Sequence, residues 1–107
     1  MPDLRSFIET VRRERPRDIV DVHRKVSARF ETAAIVTKLE QAFRFPIVVF
    51  HDVAGCSYPL VSNVCGSLAR LALALGCTPR EMAERYSKAC EHPLKPKLFD
   101  SGLSQEQ

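Results

Sequence analysis

The sequence predicts a single α/β domain (mixed α+β), in which a small mixed sheet of about three strands is flanked by about four helices. One continuous apolar run, Ile47 to Phe50, has the length and the β-branched and aromatic content of a strand buried on both faces. Residues 18–26 alternate apolar and polar side chains, as a half-exposed strand does. Four other segments repeat apolar residues at helical spacing, which is typical of helices that cover a sheet.

A second extended segment follows the apolar run. Between the two lie residues 52–57, where a glycine and small polar residues favour a turn, so Pro59 to Val61 can run beside the first strand. A helix separates residues 18–26 from the apolar run, and a right-handed crossover through that helix makes those two strands parallel. The predicted sheet is therefore mixed. We expect residues 18–26 at its edge, where two basic side chains discourage pairing with other chains.

The first two helices have recognisable ends. Asp3 is a good N-cap for the first helix, and Pro16 ends it because proline cannot donate the interior hydrogen bond. The apolar residues predicted to face the core from this helix are Leu4, Phe7, Ile8 and Val11. The second helix is predicted over residues 31–43, with basic side chains near its end that complement the helix dipole. Its predicted apolar face consists of Ala34, Ile35, Leu39, Ala42 and Phe43.

The last two helices also carry start signals. Ser67 is placed to cap the third helix and Gly76 to end it. The apolar residues at helical spacing within it are Leu68, Leu71, Ala72 and Leu75. Thr78 and Glu81 form a capping-box pattern around a proline at the first helical position, so a fourth helix should run to about residue 90. Its apolar face, interpreted as core, consists of Met82, Ala83, Tyr86 and Ala89.

The chain ends in a segment of different character. Residues 92–107 read as an extended, proline-containing tail or linker, so the predicted boundaries are 1–91 for the α/β domain and 92–107 for the tail. The tail has too few apolar residues to fold back as an element, yet three of them are poorly placed in water. Such a segment suits a partner surface on which it becomes ordered. The candidate partner-docking residues are Leu94, Leu98 and Phe99.

The composition is that of an ordinary globular protein. Hydrophobic residues make up 45% and charged residues 27% of the 107, which argues against disorder and against a membrane protein. No stretch approaches the roughly 20 apolar residues of a transmembrane helix. The N-terminus has charges where a signal peptide would be apolar. We therefore predict a cytoplasmic protein with no membrane partner.

The cysteines do not form a metal-binding pattern. They show no C-x-x-C pair and no zinc-type spacing, so we interpret them as scattered reduced thiols and assign no metal ligand. His51 near Cys56 is a weak candidate for a thiol nucleophile, and a structural loop explains both residues more simply. Phosphate-binding and hydrolase motifs are missing from the sequence. The four cysteines are Cys56, Cys65, Cys77 and Cys90.

The net charge of +3 comes largely from a basic cluster between residues 12 and 29. A nucleic-acid binder usually adds exposed aromatic side chains or a recognition helix to such a cluster, and neither is visible in the pattern. A solvated face or a docking surface for an acidic partner is therefore preferred, and nucleic acid is not expected as a partner. Asn63 and Ser67 are candidates for an anion site at a helix start, although helix capping is the preferred interpretation.

Several phrases of the sequence resemble the N-terminal domain of UbiD-like decarboxylases. The resemblance also includes Asp3 to Ile8 and Val26 to Glu31, so it covers nearly the whole chain. Family members are several times longer, and the resemblance stops where their flavin-binding part begins. The phrases that carry it most specifically are Phe50-His51-Asp52-Val53-Ala54-Gly55, Pro59, Asn63-Val64-Cys65-Gly66-Ser67, Arg70 and Ala74-Leu75-Gly76.

The resemblance implies a noncatalytic module or small subunit of an enzyme that reversibly decarboxylates aromatic, heteroaromatic or α,β-unsaturated acids. The family uses prenylated FMN with a divalent metal and usually potassium, and the groups that hold these lie downstream of the matched region. No catalytic, cofactor-binding or metal-binding residue is therefore assigned here, and the chain alone is expected to be inactive. The expected partner is a larger UbiD-like flavin-binding polypeptide or a downstream domain. Two alternatives stay open: a stand-alone interaction protein that has lost the enzyme, and a small basic nucleic-acid-binding protein.

Overall fold

A computed structural model describes residues 3–102 of the chain. Within that range it contains the predicted small α/β arrangement, with four α-helices and one three-stranded sheet. The helices are α1 (Leu4–Glu14), α2 (Glu31–Gln41), α3 (Leu68–Leu75) and α4 (Met82–Glu91), and the strands are β1 (Ile19–Val22), β2 (Ile47–Phe50) and β3 (Leu60–Ser62). Short 3-10 turns at Pro16–Asp18 and Pro79–Glu81 precede β1 and α4.

The sheet has the order β1-β2-β3 and is mixed, as predicted. Strand β1 runs parallel to β2, with Val20 opposite Val48, and β3 runs antiparallel to β2. The prediction of a strand over residues 18–26 was too long. Asp18 belongs to the preceding turn, and residues 23–25 leave the ladder before Val26 forms an isolated bridge with Val53. Polar side chains at three successive positions cannot keep the alternation that a half-buried strand requires.

Strand β2 is buried along its whole length, which confirms the interpretation of the apolar run. Because side chains alternate across a strand, β2 contributes to two clusters. On one face Val48 and Phe50 pack with α2, and on the other Ile47 and Val49 pack with α1 and α3. The sheet is therefore the middle layer of three, and both of its faces at β2 are covered by helices.

Helix α1 begins where the sequence indicates. The Asp3 carboxylate accepts a hydrogen bond from the Ser6 backbone N–H at 2.8 Å, and the Ser6 hydroxyl accepts one from the Asp3 backbone N–H at 3.0 Å. Phe7 and Val11 pack against the sheet, as predicted. Leu4 is 52% exposed, so its assignment to the core was wrong. It lies in the first turn of the helix.

Helix α2 ends at Gln41, two residues before the predicted end. Phe43 has a left-handed backbone with φ of 56° and is 88% exposed, so placing it on the buried face was wrong. Ala34 and Ala42 are exposed as well. The side of α2 that meets the sheet consists of Thr32, Ile35, Val36 and Leu39. The helical spacing of the apolar residues was predicted correctly, and Ile35 and Leu39 of the predicted face do pack on the sheet. Which side of the helix is buried depends on how the helix lies on the sheet.

Helix α3 has the predicted ends, with Ser67 as N-cap and Gly76 in the left-handed region at φ of 69°. Ala72 is buried as predicted, but the rest of its buried side differs from the predicted one. Leu68 is 68% exposed and Leu75 is 40% exposed, whereas Leu73 packs on the sheet. The buried residues of the helix are Arg70 and Ala72.

The predicted capping box of Thr78 and Glu81 is present, but it opens the short 3-10 turn Pro79–Glu81, and helix α4 itself begins at Met82. Its apolar face is not core in the described part of the chain. Met82 is partly buried, but Tyr86 is 66% exposed and both alanines of the face are exposed. The helix packs mainly on the turn before it and on α3, and no sheet face is left for it to cover. The prediction that this face is core was therefore wrong.

Candidate functional site

The C-terminal apolar residues, defined here as Leu94, Leu98 and Phe99, lie in a segment without helix or strand. They are 93%, 92% and 80% exposed, respectively. Tyr86 on α4, the element just before this segment, is also largely exposed. Large apolar side chains are tolerated singly at a surface, but several in one short stretch are typical of a segment that meets a partner. The described residues provide nothing that covers them.

A polar cluster joins α1 to the two parallel strands. Asp21 on β1 accepts two hydrogen bonds from the Arg12 guanidinium, both at 2.7 Å, in a bidentate arrangement. The His51 Nε2 atom lies 2.7 Å from Asp21 Oδ1, and the His23 ring stacks on the His51 ring with centroids 4.5 Å apart. The hydrogen bonds from Arg12, followed by that from His51, lower the pKa of Asp21 well below its ordinary value. The cluster ties the layer of α1 to the sheet.

The candidate thiol nucleophile is not assembled. Cys56 is exposed, and its sulfur accepts a hydrogen bond from the Tyr58 backbone N–H at 3.4 Å. His51 is engaged with Asp21 instead, and across residues 3–102 no hydrogen bond joins it to Cys56. A thiol and its base need to lie within hydrogen-bonding reach, so this pair does not have the geometry of a catalytic dyad.

Arg70 organises the region between β2 and α3, and the sequence patterns did not single it out except within the resemblance. Its side chain is almost fully buried. The Nε atom donates to the Val64 carbonyl at 3.1 Å, and Nη2 donates to the carbonyls of Asn63, at 3.0 Å, and Phe45. Nη1 lies 3.6 Å from an Asp18 carboxylate oxygen. Burial lowers the pKa of Arg70, and Asp18 opposes that shift.

Asn63 and Ser67 belong to the same arrangement. The Asn63 amide donates to the Pro46 carbonyl at 3.2 Å, and the Ser67 hydroxyl accepts from the Arg70 backbone N–H at 3.2 Å. Ser67 therefore caps α3, which is the preferred interpretation, and the Asn63 amide holds the loop against the residue before β2. Gly66 lies so close that a Cβ there would be 2.6 Å from both Arg70 Nη2 and Asn63 Oδ1. The phrase Asn63 to Ser67 and Arg70 thus have one physical role, the closing of the loop onto α3.

Part of the basic cluster is neutralised by neighbouring carboxylates, whereas Arg17, Lys25 and Arg29 form no ion pair within residues 3–102. Arg12 pairs with Asp21 and Arg15 pairs with Asp18 at 2.8 Å. Arg24 pairs with a glutamate of α2 at 2.7 Å. A continuous basic track for a nucleic-acid backbone would need these guanidinium groups to be available. The ion pairs therefore give further reason not to prefer nucleic acid as a partner.

The described residues offer little to a metal ion. Residues 3–102 contain no group of three or more histidine, cysteine, aspartate or glutamate side chains that could hold one. None of the four cysteines forms a disulfide, and three of them are exposed. That the thiols are free of metal in solution stays a prediction. Over the same residues, no helix has the length and apolar character needed to cross a membrane.

Comparison with known families agrees with the resemblance seen in the sequence. Residues 12–90 match the family described as the 3-octaprenyl-4-hydroxybenzoate carboxy-lyase N-terminal domain, the UbiD N-terminal domain. The match covers well over half of the chain. The protein therefore belongs to this family.

One curated relative is the anhydromevalonate phosphate decarboxylase of Methanothermobacter thermautotrophicus. It is 26% identical over 90 residues, which are 84% of this chain and 19% of the relative. The chain thus spans about a fifth of the length of this full-size enzyme.

Solved structures share the fold. An evolved dimeric form of the UbiD-class enzyme HmfF from Pelotomaculum thermopropionicum, in complex with prFMN, superimposes with a TM-score of 0.76 at 24% identity. The similarity covers 90% of this chain and 21% of that one. The vanillic acid decarboxylase of Sedimentibacter hydroxybenzoicus, in open form, gives a TM-score of 0.66 at 26% identity, over 90% of this chain and 20% of that one. In each case this chain matches about a fifth of a longer protein.

Proposed function

We propose that this chain acts as a noncatalytic N-terminal module or small subunit of a UbiD-like decarboxylase, and that its C-terminal apolar residues dock on the flavin-binding part. The observation that carries the proposal is the exposure of Leu94, Leu98 and Phe99 beside a domain of this family. In the proposed organisation the module comprises residues 1–91 and the docking tail residues 92–107. The flavin-binding part is another domain or another chain, and the complex works in the cytoplasm.

The residues of this chain do not fit prenylated FMN with its divalent metal. The described residues form no cluster of carboxylates or imidazoles that could hold the metal. The buried guanidinium of Arg70 is already committed to backbone carbonyls and to Asp18, so it is not free to neutralise a cofactor phosphate. We therefore derive no step of a decarboxylation from these residues. In the proposal, the cofactor and the reacting acid are bound by the partner.

Docking has a clear driving force. Removing apolar surface from water stabilises a complex by about 25 cal/mol per Å² before the costs of association are subtracted. The three C-terminal apolar residues have nearly all of their surface available for this, and the backbone around them is not engaged in a helix or strand. A segment of this kind can follow the contour of a partner and become ordered when it binds.

The family and its relatives support the proposed reaction class. Two of the similar proteins are decarboxylases by description, one acting on anhydromevalonate phosphate and one on vanillic acid. We infer that the complete enzyme containing this module reversibly decarboxylates an aromatic or α,β-unsaturated acid. The module contributes structure and docking to that enzyme, and it contributes no reacting group.

The test uses the full chain alone and mixed with a flavin-binding UbiD-like polypeptide that lacks its own N-terminal domain. We expect co-elution of the two chains, with cofactor absorbance and carbon dioxide release only when the flavin-binding polypeptide is present. The triple variant Leu94→Ser/Leu98→Ser/Phe99→Ser should lose co-elution. Tyr58→Ser is the matched control, because Tyr58 is 74% exposed on a different part of the surface and should leave co-elution unchanged.

The outcomes separate the alternatives. Stoichiometric flavin or turnover in the chain alone would contradict the proposal that the cofactor and the reaction belong to the partner. Failure to co-elute with any flavin-binding polypeptide would instead favour a stand-alone interaction protein. Oligonucleotide binding that weakens steeply with salt would support the nucleic-acid alternative, which the pairing of Arg12, Arg15 and Arg24 makes less favourable.

A further inference from the structure

A basic pocket lies on the side of the molecule where the end of α1, the loop before β2 and the start of α3 meet. Its volume is about 270 Å³. Four arginines and a single aspartate line it, together with apolar and small residues. The lining residues on which the argument depends are Arg15, Arg17, Asp18, Arg44, Phe45 and Arg70. This pocket is separate from the C-terminal apolar residues and is not used by the proposed docking.

The positive charge of this pocket is not balanced within the described residues. Asp18 is shared between Arg15, at 2.8 Å, and Arg70, at 3.6 Å. Arg17 and Arg44 have exposed side chains and form no ion pair with any residue in the range 3–102. One carboxylate therefore faces four guanidinium groups. A second anion would relieve their mutual repulsion.

The burial of Arg70 makes the unbalanced positive charge of the pocket more unfavourable. Arg70 is 1% exposed, and a buried charge is unfavourable unless it is paired and hydrogen-bonded. Its carbonyl partners satisfy the N–H groups but carry no formal charge, and its one carboxylate partner, Asp18, is shared with Arg15. The positive charge of Arg15 lowers the pKa of Arg70 in addition to the effect of burial. An anion near Arg15 and Arg70 would act against both effects.

The size of the pocket and its position at the start of α3 also suit a small anion. Phe45 and Pro46 form an apolar part of the pocket wall. Ser67 and Ala69, at the start of α3, line another part of it. The positive end of a helix adds to the attraction for an oxyanion. The volume lies just below the range of pockets that enclose drug-sized ligands, about 300–1,000 Å³, so a whole flavin nucleotide is too large for it.

We propose that this pocket binds a phosphate-type oxyanion, either as free phosphate or as the phosphoryl group of a small molecule. The exposed guanidinium groups of Arg17 and Arg44 supply the new charge-assisted hydrogen bonds, since Arg70 is already committed to the loop. Guanidinium groups suit this role because their planar donors match phosphate oxygens in pairs. Convergence on one pocket favours a small anion over a nucleic-acid backbone, which needs a track of available cations.

The test is a titration of the full chain, labelled with nitrogen-15, with inorganic phosphate at constant ionic strength. We expect saturable shifts of the amide signals of Phe45 and residues 67–70. The double variant Arg17→Gln/Arg44→Gln should weaken phosphate binding about tenfold or more. Arg5→Gln/Arg13→Gln is the control, because it removes the same charge from exposed positions of α1 outside the pocket and should leave the affinity within about twofold.

The same experiment can overturn the proposal. Shifts that rise linearly with phosphate, or that sodium chloride reproduces, would show general ionic effects and no site. Equal losses of affinity in both double variants would show attraction to net charge alone. A single-stranded oligonucleotide that binds more tightly than phosphate, and loses affinity equally in both variants, would show a general basic surface. These measurements use the chain by itself, so their outcome is independent of whether it docks on a flavin-binding polypeptide.

Discussion

Two regions of this molecule differ in what they bury. The core region, residues 3–77, contains every buried residue of the described chain. The C-terminal region, residues 78–102, contains none, although it includes a ten-residue helix with an apolar face. Its apolar side chains are as large as those of the core, since it contributes a tyrosine, a phenylalanine and two leucines. Residue type therefore does not explain the difference.

The number of available surfaces explains it. A three-stranded sheet has two faces, and in this protein α2 covers one while α1 and α3 cover the other. A further amphipathic helix has no sheet face to meet. Helices α2 and α4 both show apolar residues at helical spacing, yet only α2 packs on the sheet. Periodicity thus identifies which side of a helix is apolar, and the topology decides whether this chain covers that side.

The largest expected effect falls in the core region. Val48→Asp places an unpaired charge on β2, where Val48 is 0% exposed and packs with Phe50 and Val26. A buried carboxyl group without a partner costs several kcal/mol even when it takes up a proton, and the valine packing is lost as well. Small domains have a stability of only about 5–15 kcal/mol, so we expect the variant to be largely unfolded. Circular dichroism measures this directly. The control Leu98→Asp, at a 92% exposed position, should melt like the parent, and parental melting of Val48→Asp would refute the three-layer core.

A second prediction concerns the packing of the loop that precedes α3 around Arg70. Gly66→Ala would place a Cβ 2.6 Å from Arg70 Nη2, and Arg70 cannot move aside without giving up its carbonyl partners. Overpacking combined with a lost buried hydrogen bond should lower the free energy of unfolding by about 3 kcal/mol. Chemical denaturation gives this value.

The matched substitution is Gly55→Ala. Its Cβ would meet nothing within 4 Å, and only the backbone strain at φ of +77° remains. We expect a loss of about 1 kcal/mol there. If Gly66→Ala cost no more than Gly55→Ala, the close packing around Arg70 would not hold in solution.

The sequence predicts the sheet and the helix ends well because their signals are local. Caps such as Asp3 and Ser67 act within one helical turn, and the continuous apolar run of β2 needs two covered faces wherever it lies. The helix faces were harder to predict. Leu68 and Phe43 are exposed because the phase of a helix on its sheet depends on contacts with residues distant in sequence. Arg70 was missed as a buried residue for the same reason, since its partners lie in loops rather than at helical spacing.

The candidate sites also divide into those that local sequence predicts and those that depend on residues distant in sequence. The exposure of the C-terminal apolar residues was expected from the composition of the tail, which has too few apolar residues to form an element. The cluster of Asp21 with Arg12 and His51 could not be predicted, because the partners lie 9 and 30 residues away from Asp21. Only the parallel register of β1 with β2 brings Asp21 near His51.

A third prediction concerns how pH acts on the core region. The pKa of Asp21 is lower in the folded chain than the ordinary value of about 3.9, mainly because of the hydrogen bonds from Arg12. A lowered folded pKa means that the carboxylate stabilises the fold above the unfolded pKa, and that this contribution fades as pH falls below about 4. Asp21→Asn should therefore lose about 1 kcal/mol near neutral pH, and progressively less in acid.

The measurement for Asp21 is denaturation of parent and variant from pH 7 down to the acid limit of solubility. Other carboxylates with lowered pKa, such as Asp3 and Glu31, contribute to the acid limb of both proteins. The difference between parent and variant therefore isolates Asp21. A difference that stays constant through the acid range would contradict the ionic role and leave only lost packing.

The smallest expected effects lie in the C-terminal region, and they test the comparison most directly. Tyr86→Ser and Phe99→Ser remove large apolar side chains that are 66% and 80% exposed in the chain by itself. Since little burial is lost, we expect the free energy of unfolding to change by no more than about 0.5 kcal/mol.

Val49→Ser, at a 6% exposed position, removes a smaller side chain yet should cost about 2 kcal/mol or more. A loss above 1 kcal/mol for Phe99→Ser would mean that the tail packs on this chain in solution. Its apolar residues would then be buried against this chain and would not be available to a partner.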